Sequence, residues 1–171
     1  MTRKIVFCLF LLLWVLPCFS SSAEIEVVFS PEGEIKEYLL KEIESSTTAL
    51  DLALYEVTSS DLSQALSRAK QRGVKIRMIV DSKQSKKKDS RVTYLIGQGI
   101  PVKVLGGKEK AAMNHRFSIL DGKKVMTGSF SWSEVSERWN FENVVSFNDS
   151  EAVAAYQREF DRLWREKRVI R

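Results

Sequence analysis

The chain has 171 residues, with 27 Lys and Arg against 22 Asp and Glu and a net charge of +5. That length is a prior for one domain, and so small a basic excess does not by itself name nucleic acid or anionic lipid as a partner. One histidine and two cysteines exclude any mechanism needing two histidines from one chain and any zinc site built on several of them.

Arg3 and Lys4 precede an apolar run from Ile5 to Phe19, and Ser20, Ser21, Ser22 and Ala23 follow before Glu24. A basic start, an apolar centre and small residues at the exit describe a secretory signal peptide cleaved after Ala23. The run falls short of the roughly 20 apolar residues that span a bilayer comfortably; an uncleaved N-terminal anchor is the alternative reading. The expected organisation is therefore a leader or anchor over residues 1–23 and one folded domain over 24–171. The expected location is outside the cytoplasm, periplasmic or secreted, or membrane-anchored through the N-terminal segment. Cys8 and Cys18 both lie in the leader, so the mature domain has no disulfide, catalytic thiol or thiolate ligand set. It must stand on a hydrophobic core, which about 150 residues can supply.

Strand and helix patterns then alternate. Glu24 to Ser30 predicts a strand, and Pro31 opens a helix with Ile35, Tyr38, Leu39 and Ile43 at helical spacing. Ala49 to Tyr55 alternates like a strand. Ser60 or Asp61 is placed to cap a helix carrying Leu62, Ala65, Leu66 and Ala69, which Gly73 ends. Val74 to Val80 predicts a strand, Asp81 to Ser90 a polar loop, and Val92, Leu95 and Ile96 a short helix. Ile100 to Leu105 is a further strand, broken by Gly106 and Gly107. Met113 to Leu120 and Lys123 to Thr127 flank Asp121-Gly122, a strong hairpin signal. Phe141 to Phe147 predicts the last strand. Ser150 to Lys167 predicts a closing helix, with Val153, Tyr156, Phe160 and Leu163 on one face and Trp164 beside them. Strands interleaved with helices and followed by a hairpin imply an α/β domain, a mixed β-sheet flanked by helices on both faces.

The residues that could carry chemistry concentrate in one stretch. No nucleophile-elbow sequence accompanies the single histidine, His115. What stands out is Asn114-x-Arg116-x4-Asp121-x6-Gly128-Ser129-x-Ser131, with Asn140-Phe141-Glu142-Asn143 downstream. This resembles the phospholipase D superfamily, whose motif reads His-x-Lys-x4-Asp-x6-Gly-Ser-x-Asn and is often followed by Asn-x-Glu-Asn. The flanks are also similar to its short, single-motif branch of bacterial endonucleases and mitochondrial cardiolipin hydrolase-like members. They are Phe29-Ser30-Pro31, Ala53-Leu54-Tyr55-Glu56-Val57-Thr58 and Arg72-Gly73-Val74-Lys75-Ile76-Arg77. The likeness runs over residues 25–165.

The resemblance implies a single phospholipase D/nuclease-like domain that hydrolyses phosphodiester bonds in nucleic acid or phospholipid. It implies no cofactor and no metal, and a homodimer with the site at the interface. One histidine attacks phosphorus, the partner's histidine protonates the leaving oxygen and then activates water, and Lys, Ser and Asn hold the phosphate oxygens. Three motif positions are changed here. Asn114 occupies the place of the nucleophile, and a carboxamide neither attacks nor donates a proton usefully. Arg116 replaces Lys and keeps an anion-binding charge. Ser131 replaces Asn and keeps only a hydroxyl. Ser129, Glu142 and Asp121 are retained, Asp121 in a structural role. Two function classes follow, an impaired or active phosphodiesterase and a degenerate phosphodiester- or nucleic-acid-binding protein.

His115 is the one candidate substitute for the lost nucleophile. Successive strand side chains face opposite ways, so if Asn114 and Arg116 face the phosphate, His115 is expected to point away with Phe117 and Ile119. The loop Lys83-Gln84-Ser85-Lys86-Lys87-Lys88 reads either as solvated or as attracting phosphate. Trp132 and Trp139 are expected to pack around the site rather than to stack bases.

Overall fold

A seven-stranded mixed sheet in the order β1-β7-β6-β5-β2-β3-β4 organises the chain, in a computed structural model that describes residues 23–31 and 34–167. The expected leader or anchor, apart from Ala23, lies outside the described residues. The strands are β1 Ile25–Ser30, β2 Ala49–Leu54, β3 Lys75–Asp81, β4 Val102–Leu105, β5 Arg116–Leu120, β6 Lys124–Gly128 and β7 Glu142–Phe147. The helices are α1 Glu34–Ser45, α2 Ser60–Gln71, α3 Val92–Gly97, α4 Glu134–Arg138 and α5 Ser150–Arg165. β2, β3 and β4 run parallel, joined by helical crossovers, whereas β5, β6, β7 and β1 pair antiparallel. β5 joins the two halves by lying antiparallel to β2, with Leu54 opposite Arg116.

Two cores result, one on each face of the sheet. Leu50, Leu52 and Leu54 of β2 and Ile76, Met78 and Val80 of β3 pack under α1 and α2. On the other face Ala53, Ile79, Phe117, Ile119 and Val125 pack under Val153, Phe160 and Leu163 of α5. The mixed sheet with helices on both faces matches the sequence expectation.

The alternation in β2 is more than a solvated-face pattern. β2 is central and both its faces are covered, so Asp51 is only 8% exposed. It accepts from Arg77 Nε at 2.8 Å and Nη2 at 2.6 Å, and from Gln157 Nε2 at 2.9 Å. Arg77 in turn lies over the Phe160 ring at 4.8 Å, so the polar pair is enclosed by α5 and satisfied.

Several boundaries differ from the sequence reading for local reasons. Ser59, not Ser60 or Asp61, caps α2, its hydroxyl accepting from the Leu62 N–H. The strand predicted from Met113 begins only at Arg116, because the Met113 N–H is taken by the buried Asp81 carboxylate at 2.9 Å and leaves the ladder. The loop after β3 is ordered rather than merely polar: Asp81 also accepts from the N–H groups of Lys83 and Gln84, and a 3-10 turn follows over Gln84–Lys86. The short α4, capped by Ser133, was not legible, since five residues show no helical period.

Asp121 shows how the hairpin is held. Asp121 and Gly122 turn the chain at φ 51° and 65°, the left-handed region that an Asp-Gly hairpin uses. The Asp121 carboxylate accepts from the N–H groups of Thr47, Thr48 and Ala49 and from both threonine hydroxyls. Burial disfavours its charge, but the backbone donors outweigh that and hold its carboxyl well below the usual range. A depressed carboxylate adds stability above its unfolded value near pH 3.9, and this is lost as pH falls through the folded value. Asp121→Ala is expected to cost about 1–2 kcal/mol at neutral pH, the scale of a lost capping side chain. Urea denaturation at pH 7 and below pH 4 checks this, and a difference from the native chain that did not shrink in acid would contradict it.

Candidate functional site

The start of β5, the β6–β7 corner and the segment after β2 converge on an open cleft of about 620 Å³. Arg116, Ser129, Ser131 and Glu142 all line it, with Tyr55, Glu56, Lys87, Asp89 and Asn140. Sequence reading had placed the first four in one site but had quoted Tyr55 only within a family-like flank, Ala53 to Thr58, and not as a site residue.

Arg116 reaches the cleft because β5 alternates. Phe117 and Ile119 enter the α5 core, so Arg116 and Ser118 face the other way. The Arg116 Nε donates to Ser131 Oγ at 3.1 Å, and its guanidinium carbon sits 5.0 Å from the centre of the Tyr55 ring. Tyr55 is fixed in turn by Gln84, whose amide donates to the phenol oxygen at 2.6 Å. Arg116 is half-buried and, among the described residues, in no ion pair, although Glu56, Asp89 and Glu142 line the same cleft. Lys87 is different: Glu56 pairs with it at 3.1 Å and raises its pKa by hydrogen bonding.

Ser129 and Glu142 are held by a close chain crossing. The N–H groups of Ser129 and Phe130 both donate to the Asn143 carbonyl, and the Asn143 N–H donates to Ser129 Oγ at 3.1 Å. Glycine at 128 is what permits this, since a Cβ there would lie 2.1 Å from the Asn143 oxygen. Glu142 accepts from Asn140 Nδ2 at 3.0 Å and Ser136 Oγ at 3.4 Å. Among the described residues it forms no ion pair with Arg116, although both line the cleft. Asp121 stays at the far end of β5, bonded to the start of β2, and does not line the cleft.

Asn114 and His115 do not line the cleft of Ser129, Ser131 and Glu142. They line an adjoining cleft of about 420 Å³ with Phe117, Thr127, Tyr156 and Glu159, and Arg116 is common to both clefts. Asn114 is exposed, in the segment that leaves the ladder before β5. His115 faces the α5 side: its ring meets Phe117 edge-on at 5.3 Å and its Nε2 lies 3.3 Å from Glu159 Oε1. Arg162 forks onto both oxygens of Glu159 and, ahead of His115, holds that carboxyl below its usual range against the opposing effect of burial.

The two tryptophans part company. Trp132 is 3% exposed and packs into the core, whereas Trp139 is 75% exposed and Phe141 91%, contrary to the expectation that both tryptophans pack. Lys83, Lys86 and Lys88 are exposed in the loop whose Lys87 and Asp89 line the cleft. Among the described residues no group of three His, Cys, Asp or Glu side chains is gathered to hold a metal ion.

Comparison with known proteins agrees with this architecture. The sequence pattern described as "Cardiolipin synthase, PLD-like domain" matches residues 39–164. A mitochondrial cardiolipin hydrolase of Chlamydomonas reinhardtii is 33% identical over 120 residues, which are 70% of this chain and 53% of that protein. The protein of the same name from Canis lupus familiaris is 33% identical over 137 residues, covering 80% of this chain and 53% of its own. The chain thus spans about half the length of these relatives. Among solved structures, the phospholipase D family member Nuc from Salmonella typhimurium superposes with a TM-score of 0.79 at 27% identity, over 86% of this chain and 97% of that one. NucT from Helicobacter pylori shares the fold, with a TM-score of 0.75 at 24% identity over 84% and 96% of the two chains.

Proposed function

Because the chain belongs to the phospholipase D-like family, we propose that it binds phosphodiesters in the Arg116 cleft, with hydrolysis impaired by Asn114 at the nucleophile position. The observation that carries this reading is the half-buried Arg116, in no ion pair among the described residues although three carboxylates line its cleft. A guanidinium held this way is an anion receptor, able to fork onto two phosphate oxygens. Ser129 supplies a hydroxyl beside it. The relatives' names point to a phospholipid such as cardiolipin as the bound diester, and the motif resemblance adds a nucleic-acid backbone.

The test is binding of the mature protein to cardiolipin vesicles and to a labelled single-stranded oligonucleotide, with Arg116→Ala as comparison. Loss of a charged hydrogen-bond partner is expected to weaken binding roughly 10- to 100-fold. For the oligonucleotide the dependence on salt should also become shallower by about one phosphate contact. Equal binding by Arg116→Ala would remove Arg116 from the site.

The reading includes a homodimer that brings two such clefts together. Ile25, Val27 and Phe29 support it, being 70%, 49% and 66% exposed on the edge strand β1, an apolar row of the kind that marks an interaction surface. Light scattering on the native chain, and on Val27→Lys with Phe29→Ser, checks it; a native monomer at micromolar concentration would contradict it. Export, with Glu24 as the mature N-terminus, is part of the same proposal, and the mass of the exported protein tests it.

The second reading, turnover by His115, is disfavoured by its place on the α5 side against Phe117 and Glu159. His115→Ala is expected to leave diester binding within about twofold, consistent with an exposed surface change. Native turnover that vanished in His115→Ala would instead establish His115 as the nucleophile.

A further inference from the structure

We propose that Arg116 and Ser131 are a matched pair, and that Ser131 and Tyr55 are positioning residues that act on bound phosphate only through the Arg116 guanidinium. The inference rests on Arg116 as the phosphate ligand and concerns how it is aimed. The phospholipase D motif carries Lys and Asn where this chain carries Arg116 and Ser131. Both positions differ here, and the two replacements touch each other.

The contact is one that a lysine could not make. Arg116 uses its Nε, an atom partway along the side chain, to donate to Ser131 Oγ at 3.1 Å. A lysine has only its terminal ammonium, a rotating point charge. With Nε engaged, the two terminal nitrogens form the edge left for a phosphate, and they lie in one plane set by the Nε bond. Tyr55 supports that plane from the side, its ring centre 5.0 Å from the guanidinium carbon, at cation–π distance. Tyr55 cannot drift, because Gln84 donates to its oxygen at 2.6 Å and the Gln84 N–H is itself bonded to the buried Asp81.

Ser131 is poorly placed to serve as a phosphate ligand in its own right. It is only 9% exposed, and one acceptor position on its hydroxyl is occupied by Arg116. A serine is also shorter than the asparagine of the motif, which leaves room for the bulkier guanidinium. Preorganisation of this kind matters because an arginine carries several free rotors, and fixing them before binding removes an entropic cost from the ligand's side. A lysine placed against Ser131 would lose the Nε bond, and an asparagine placed against Arg116 would crowd it.

The experiment is a double-mutant cycle read by nuclear magnetic resonance with dimethyl phosphate, the smallest diester common to lipid and nucleic acid. In the native chain the Arg116 Nε–H should give a resolved, exchange-protected signal that Ser131→Ala abolishes. Ser131→Ala and Tyr55→Leu are each expected to weaken binding about five-fold, and Tyr55→Phe, which keeps the ring but loses the Gln84 bond, to fall between Tyr55→Leu and the native chain. In an Arg116→Lys background, Ser131→Ala should add less than about a twofold change, because the atom it held is gone. Arg116→Lys with Ser131→Asn should bind more tightly than either single variant. Preserved chemical-shift dispersion confirms that each variant is folded. If Arg116→Ala binds dimethyl phosphate as well as the native chain, the phosphate-cleft reading itself fails. If Arg116→Ala loses binding but the effects of Ser131→Ala and Tyr55→Leu persist undiminished with lysine at 116, the matched pair is overturned.

Discussion

Gly128→Ala is expected to destabilise the protein by about 3 kcal/mol or more, at the upper end of single substitutions. The physical cause is contact between two main chains rather than loss of a side chain. An added Cβ would lie 2.1 Å from the Asn143 oxygen, 2.9 Å from its carbonyl carbon and 3.1 Å from Val144 Cα. None of these is the end of a flexible side chain, so β6 and β7 must separate to admit the methyl group. Glycine in a strand often marks such a close approach of backbones. Separation would also break the bonds from the Ser129 and Phe130 N–H groups to Asn143, which place Ser129 beside Glu142. Stability and phosphodiester binding should therefore fall together. Urea unfolding should show the loss directly, with a melting temperature lower by roughly 6–12 °C. A loss below about 1 kcal/mol, the ordinary scale of a single substitution, would mean that the crossing is looser than described.

Asn114→His is expected to have the largest effect on chemistry, raising phosphodiester turnover at least about 100-fold above the native chain, the lower end of what a positioned acid–base group contributes. A carboxamide has no basic nitrogen to attack phosphorus, whereas imidazole can form a covalent phosphohistidine and expel the alcohol. The position is suited to the change. Asn114 is exposed, makes no bond that a larger ring would break among those described, and borders a cleft that shares Arg116 with the Ser129–Glu142 cleft. In a dimer the second imidazole would protonate the leaving oxygen and then activate water. The assay is release of nitrophenol from a bis-aryl phosphodiester, followed by cardiolipin and single-stranded DNA. Affinity for the unreactive dimethyl phosphate should change little. If Asn114→His binds but does not turn over, the residue at 114 is not what the chain lacks, and the geometry of Arg116 and Ser131 becomes the obstacle.

How far the site was legible differs residue by residue. Arg116, Ser129, Ser131 and Glu142 could be grouped because the motif spacing survives three replacements, and the cleft does bring those four together. Tyr55 stood in a family-like flank but was not legible as a site residue, because a flank resemblance does not say that its ring meets a guanidinium contributed from β5. The bond between Ser131 and Arg116 was not legible either, since spacing conveys which residues converge but not which of them bond each other. Asp51 and Arg77 read as ordinary polar positions of two strands. Only the sheet order, which makes β2 central and lays α5 over it, turns them into an enclosed pair.

The sequence by itself determined most of the elements, the mixed sheet and the family likeness, and it pointed to Asn114 at the place of the motif histidine. Those depend on local periodicity and on residue identity at fixed spacing, both of which are written along the chain. Only the tertiary structure decided that Asn114 and His115 border a different cleft from Ser129 and Glu142, and that Arg116 joins the two clefts. The reason is that Asp81 on β3 takes the Met113 N–H and draws residues 113–115 out of the ladder. Which way those side chains turn therefore depends on a carboxylate more than thirty residues away in sequence.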